Sequence, residues 1–150
     1  MKVLIVDDEP LARDELSYLL KQNDLIDEIN EADGINSARE EIENNRPDLI
    51  FLDIQLDDGS GMAFAKGLKK KENCPYIVFG TAYDQYALDA FEADAIDYVL
   101  KPFEADRIND AVRRVARLMD NQNGSRGVTT QQRNPRISLT NDERTIVIQK

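Results

Sequence analysis

Leu49-Ile50-Phe51-Leu52-Asp53 is an uninterrupted apolar run closed by a carboxylate. A run without polar alternation is the pattern of a strand covered on both faces, as in a parallel sheet. The same pattern recurs three times. Val3-Leu4-Ile5-Val6 is closed by Asp7-Asp8, Tyr76-Ile77-Val78-Phe79-Gly80 by Thr81, and Tyr98-Val99-Leu100 by Lys101. In an open parallel sheet these ends share one edge, and that edge is where such folds bind ligands. Three carboxylates, a hydroxyl and an ammonium at one edge describe a cation and phosphoryl site.

Between these runs the periodicity switches to that of helices. Pro10 suits a first helical turn, and Leu11, Leu16, Leu19 and Leu20 follow as a stripe. Ile26–Glu31 reads as a short polar strand and 37–45 as a modest helix. Gly59-Ser60-Gly61 opens a helix through Lys70 with Met62, Phe64, Ala65 and Leu68 inward. A short helix is expected over 84–91, a mixed strand over 95–100, and a last helix from Pro102 that carries Ile108, Ala111, Val112, Val115 and Leu118. The result is an α/β chain of five βα units, with right-handed crossovers placing helices on both faces. The two polar strands belong at the sheet edges. That is consistent with a doubly wound parallel sheet in the order 2-1-3-4-5, whose switch point lies between the strands ending in Asp7-Asp8 and Asp53.

Composition narrows the function. The 150 residues are 41% hydrophobic and 32% charged, as in a soluble globular domain, and no apolar run is long enough to span a membrane. With no signal peptide legible at the N-terminus, a cytoplasmic location is expected. There is no histidine, which removes His-based acid–base chemistry and most zinc sites. The single cysteine, Cys74, excludes an intrachain disulfide and reads as a buried, inert thiol. The net charge of −10 is uneven: residues 1–120 hold 14 Lys and Arg against 27 Asp and Glu, and residues 121–150 hold 5 against 2. An acidic body is a poor surface for nucleic acid.

Carboxylates crowded at one edge repel one another, and a hard cation such as Mg²⁺, Ca²⁺ or Mn²⁺ relieves that repulsion. A strand-end carboxylate can act as a nucleophile and form an aspartyl phosphate. Catalysis of such a transfer is mostly positioning and cationic stabilisation, which a metal and Lys101 can share while Thr81 donates a hydroxyl. Asp7 and Asp8 could alternatively be helix-capping residues ahead of Pro10.

Five segments in this order resemble the receiver domain of two-component response regulators: Val-Asp-Asp-Glu-Pro at 6–10, Phe-Leu-Asp-Ile-Gln at 51–55, Gly61, Thr-Ala at 81–82, and Asp-Tyr-Val-Leu-Lys-Pro-Phe at 97–103. The resemblance covers about residues 1–120 and implies a flavodoxin-like receiver fold. It implies that Asp53 is the phosphoacceptor, that Asp8 binds the metal directly with Asp7 as its water-mediated neighbour, and that the Gln55 backbone carbonyl is a further ligand. The implied metal is Mg²⁺ or Mn²⁺. Thr81 and Lys101 would hold the phosphoryl group, Tyr98 would change rotamer with Thr81, and Ala82 would keep the site open. Gln55 and Tyr83 occupy the two positions at which family members tune attack by water, and a bulky Tyr83 implies slow hydrolysis.

Asp7–Leu16, Thr81–Asp84 and Ala90–Ala93 resemble regulators of the LytR/AlgR type, which carry a C-terminal DNA-binding domain of mainly β structure. Residues 121–135 then read as a flexible linker, and 136–150, with a hairpin-like pattern, as the start of that domain. The implied partners are a sensor histidine kinase, a second copy of the chain through the 84–119 face, and DNA only through the C-terminal domain. Three positions depart from the receiver pattern: Asp57 where proline is usual, Gly80 where a hydroxyl residue is frequent, and Asp94 where glycine is common. The Asp57-Asp58 pair is expected to slow anionic phosphodonors. Two other readings are an interaction module that binds without phosphorylation and a Mg²⁺-dependent phosphohydrolase. The second lacks an acid two residues after Asp53, where Gln55 stands.

Overall fold

Five strands form one parallel sheet: β1 (Lys2–Val6), β2 (Glu28–Ala32), β3 (Leu49–Leu52), β4 (Tyr76–Thr81) and β5 (Asp97–Leu100). The computed structural model describes residues 1–127 of the chain. The strand order is β2-β1-β3-β4-β5, with the polar strands β2 and β5 at the edges as expected. The helices are α1 (Pro10–Lys21), α2 (Ile35–Asn45), α3 (Gly61–Lys69), α4 (Ala87–Glu92) and α5 (Ala105–Gly127). Met1–Ala116 forms one compact unit, and a second begins at Arg117.

The central strands are buried on both faces: Val3, Leu49, Ile50, Leu52, Val78 and Phe79 have no exposed surface. Leu4, Val6, Ile50, Leu52, Ile77 and Phe79 share one cluster with Met62, Phe64, Ala65 and Leu68 of α3. By strand alternation Val3, Ile5, Leu49 and Phe51 point to the opposite face. Each such side chain contributes about 1.5–3 kcal/mol through burial. In α1, Leu16 and Leu20 are buried, but Leu11 is 82% exposed and leaves the expected stripe.

Element boundaries shift for local reasons. Strand β2 starts at Glu28 rather than Ile26, because the Ile26 N–H donates to the Asn23 carbonyl (3.1 Å) in a turn. Gly59-Ser60 does not enter the helix but pairs antiparallel with Gln55-Leu56 in a short ribbon, and Ser60 caps α3 by accepting from the Ala63 N–H at 3.1 Å. Helix α4 starts at Ala87, not Asp84; Tyr83 upstream is held by a hydrogen bond from its N–H to Thr81 Oγ1 (3.3 Å). Helix α5 starts at Ala105, because the Lys101–Phe103 segment first turns inward and leaves Phe103 only 7% exposed. At its other end α5 is helical through Gly127, so residues 121–127, read above as linker, continue a helix already nucleated. The hairpin expected at 136–149 lies outside the described residues. Cys74 is half-buried rather than fully buried, and burial pushes its thiol up.

Candidate phosphoryl and metal site

Sheet register brings the site residues together. Val6 pairs with Leu52, so the next residues, Asp7 and Asp53, leave adjacent strands side by side. The Asp53 N–H donates to the Val6 carbonyl at 3.0 Å. On the other side Thr81 pairs with Leu100, and the Lys101 N–H donates to the Thr81 carbonyl at 2.8 Å. The four chain ends therefore present Asp7, Asp53, Thr81 and Lys101 at the carboxyl edge of the sheet, all except Lys101 buried.

Lys101 is the electrostatic centre. Its Nζ lies 2.8 Å from Asp7 Oδ2, 2.8 Å from Glu9 Oε1 and 3.1 Å from Asp53 Oδ2. Burial alone would push the Lys101 ammonium down, but hydrogen bonds to Asp7 and Glu9 and the charges of Asp53 and Asp7 raise it well above the usual lysine range. The same ammonium lowers Glu9. Asp7 Oδ1 accepts from the Glu9 N–H at 2.9 Å, and Asp53 Oδ1 accepts from the Ile54 N–H at 2.7 Å. Burial raises Asp7 despite its bond to Lys101. Burial also raises Asp8, which a hydrogen bond with Asp57 and the charges of Asp57, Asp7 and Asp53 push further.

Asp7, Asp8 and Asp53 can each offer a carboxylate oxygen within 4.8 Å of the others. An oxygen-only donor set with this excess of negative charge fits a hard divalent cation and no soft one. Gln55 is exposed in the ribbon after Asp53, and its side-chain Nε2 donates to Tyr86 Oη at 3.2 Å. Tyr98 Oη donates to the Tyr83 carbonyl, while its ring lies 6.4 Å from that of Phe79.

Gly61 is fixed by close approach, and Gly80 lies against a neighbouring ring. The Gly61 N–H donates to the Ile54 carbonyl at 2.6 Å, and a Cβ on Gly61 would sit 1.9 Å from the Asp53 carbonyl oxygen. A Cβ on Gly80 would meet the Phe103 ring at 3.0 Å and 3.2 Å, so a side chain there requires that ring to shift by a few tenths of an ångström. Asp94, the third departure, has φ 58, a left-handed geometry that Asp accepts better than most residues.

Asp57 and Asp58 part company. Asp58 accepts from the Ile35 and Asn36 N–H groups at 2.9 Å and 3.2 Å and so caps α2, while Asp57 reaches Asp8. Sequence reasoning missed three residues here. Glu9 lies in the Asp-Asp-Glu-Pro motif, and an acid two residues from Asp7 is the one local signal of its bond to Lys101. Tyr86 and the capping role of Asp58 left no local signal, since both partners are distant in sequence.

A parallel sheet in this order, with helices between its strands, places the chain in the flavodoxin-like α/β class. The chain belongs to the response regulator receiver domain family, whose model matches residues 3–113. It is 53% identical over 122 residues to the sensory transduction protein LytT of Bacillus anthracis, covering 81% of this chain and 50% of that protein. It is 49% identical over 145 residues to the sensory transduction protein LytR of Staphylococcus epidermidis, covering 96% of this chain and 56% of the relative. The chain thus spans about half the length of the curated relatives it matches. Among solved structures, the response regulatory domain of protein mrkE from Klebsiella pneumoniae superposes with a TM-score of 0.75 at 34% identity, over 81% of this chain and all of that one. These relatives are consistent with the LytR/AlgR assignment and bear out the fold and family expected from the motifs. No helix among the described residues is long and apolar enough to cross a membrane.

Proposed function

We propose that this chain is the phosphoryl-accepting switch of a LytR-type transcription regulator, receiving the group on Asp53 from a sensor histidine kinase. The observation that carries this reading is the convergence on Asp53 Oδ2 of Lys101 Nζ at 3.1 Å, with Asp7 and Asp8 within cation-sharing distance. Asp53 attacks the phosphorus of the donor, and the donor's bonding electron pair leaves with its own group. Lys101 neutralises charge on the transferring oxygens from one side. Asp7, Asp8, Asp53 and the Gln55 backbone carbonyl would hold Mg²⁺ or Mn²⁺, which supplies the opposing positive charge when bound. Thr81 gives its hydroxyl to a phosphoryl oxygen, and Tyr98 is the aromatic that responds. The site has no histidine and has Gln55 in place of a second acid, so it favours a stored phosphoryl group over rapid turnover.

The readout surface is the face from 84 to 119. Leu88, Phe91 and Leu100 are exposed by 70%, 77% and 45% there, an apolar surface suited to a second copy of the chain. Association would raise the DNA affinity of a C-terminal domain in the whole regulator. The decisive test is intact mass after incubation with acetyl phosphate and Mg²⁺. A gain of one phosphoryl group in the wild type and none in Asp53→Ala supports the reading. An unchanged mass with both acetyl phosphate and a reconstituted kinase contradicts it.

A further inference from the structure

Two segments follow directly from the Asp53 and Thr81 strand ends: the ribbon that starts at Gln55 and the loop that carries Tyr83, whose N–H donates to Thr81 Oγ1 at 3.3 Å. Tyr86 touches both. Its hydroxyl accepts the Gln55 amide N–H at 3.2 Å, and its ring meets that of Tyr83 edge-on with centroids 6.3 Å apart. Tyr86 is also held from behind, because its half-buried ring packs against the core cluster that includes Ile54, Leu56 and Ala90. A hydroxyl on an anchored ring is a fixed acceptor, whereas Gln55 is an exposed residue with a flexible stem. The Gln55 amide would otherwise be free to hydrogen-bond water at the mouth of the site.

We propose that Tyr86 is a positioning residue that sets the lifetime of the phosphoryl group on Asp53 by holding the Gln55 side-chain amide away from attacking water. The inference rests on Asp53 being the phosphoacceptor. In hydrolysis a water oxygen forms a bond to phosphorus as the bond from phosphorus to Asp53 Oδ breaks. The electron pair of that bond returns to the Asp53 carboxylate, and both water protons leave on dihydrogen phosphate. A water that enters this line needs an acceptor or donor to orient it, and the side-chain amide of Gln55 offers both. While Gln55 donates to Tyr86 that orientation is withheld.

The test uses the full chain, loaded with acetyl phosphate and Mg²⁺, freed of donor by rapid desalting and followed by intact mass. Tyr86→Phe keeps the ring against the core and removes only the hydroxyl. It is expected to load at the wild-type rate and to lose the phosphoryl group about fivefold faster, the scale of one neutral hydrogen bond. Tyr86→Phe placed in a Gln55→Leu background is expected to change nothing, because the amide it would release is gone. Circular dichroism and Tm confirm that each variant is folded. Equal loss rates for the wild type and Tyr86→Phe, once both are loaded, overturn the proposal and leave the phosphoacceptor reading intact. So does an equal acceleration in the Gln55→Leu background. No mass gain in the wild type under these conditions or with a kinase overturns both.

Discussion

Gly61 and Asp53 meet backbone to backbone: a Cβ built on Gly61 falls 1.9 Å from the Asp53 carbonyl oxygen and 2.9 Å from its carbonyl carbon. Gly61→Ala must therefore push the Asp53 segment or the start of α3. The expected cost is about 1–3 kcal/mol, the range for forced overpacking, together with loss of phosphoryl transfer through displacement of the carboxylate. Urea denaturation and acetyl phosphate labelling measure the two effects. A variant as stable and as readily labelled as the wild type would contradict this geometry.

A divalent cation at the acidic cluster is expected to stabilise the fold. Burial and like charges raise Asp7 and Asp8, so their ionised forms cost stability at neutral pH. A cation that binds only the folded state raises Tm with its concentration. Asp8→Asn is expected to raise Tm in EDTA by about 1–3 °C and to abolish most of the Mg²⁺-dependent rise. Differential scanning fluorimetry across a Mg²⁺ titration checks both. A variant that keeps the full Mg²⁺ response would show that Asp8 is not a ligand.

Asp57 acts on Asp8 while Asp58 is engaged at α2, so the donor effect expected of the pair falls on Asp57 alone. Asp57→Asn is expected to speed labelling by acetyl phosphate about two- to fivefold at low salt, with the difference shrinking near physiological ionic strength. Stopped labelling reactions resolved by mass give the rates. Equal rates at low salt would remove Asp57 from the account of donor approach.

Asp97 gives the acid limb of stability. Burial pushes its carboxyl up, but hydrogen bonds from Arg107 and the Tyr98 N–H, with the charges of Arg114 and Arg107, hold it below the usual range. Arg107 Nη1 lies 2.8 Å from Asp97 Oδ2, and Arg114 Nη1 3.3 Å from the same oxygen. A carboxyl with a lowered folded pKa contributes stability above its unfolded value, and that contribution is lost as pH falls through the folded value. Asp97→Asn is expected to cost about 1 kcal/mol at pH 7, discounted because both arginines are partly exposed. The gap to the wild type should begin to narrow as pH falls below roughly 4. Urea midpoints at pH 7 and pH 3 measure it, and a gap that widens or stays constant on acidification would contradict the linkage.

The fold was legible because β1, β3 and β4 are buried on both faces and carry unbroken apolar runs, while β2 and β5 carry the charges of edges. The site was legible for the same reason. Parallel register carries a residue just past one strand to its counterpart on the next, so Asp7, Asp53, Thr81 and Lys101 could be placed before any contact was known. What sequence could not give are the contacts that close over these ends. Glu9 reaches Lys101, Asp58 reaches Ile35 and Gln55 reaches Tyr86 across separations of 92, 23 and 31 residues. No period or motif marks these pairings, although Glu9 and Gln55 each lie within one. Leu11 misled because an apolar residue in the first turn of α1 satisfies the stripe while its side chain lies in water, 82% exposed.

Asp58 binds two N–H groups at the start of α2, and this has a mechanical meaning. The segment that follows Asp53 is bolted on that side to a full-length helix, through a charged acceptor and a pair of bonds. On the opposite side Gln55, Tyr83, Tyr86 and Tyr98 are joined through side-chain contacts and backbone groups of Tyr83 and Tyr86. The segment after Asp53 is thus tied to α2 by a charged acceptor and, through Gln55, to a linked set of tyrosines, so a change at Asp53 that shifts this segment would be felt at both attachments.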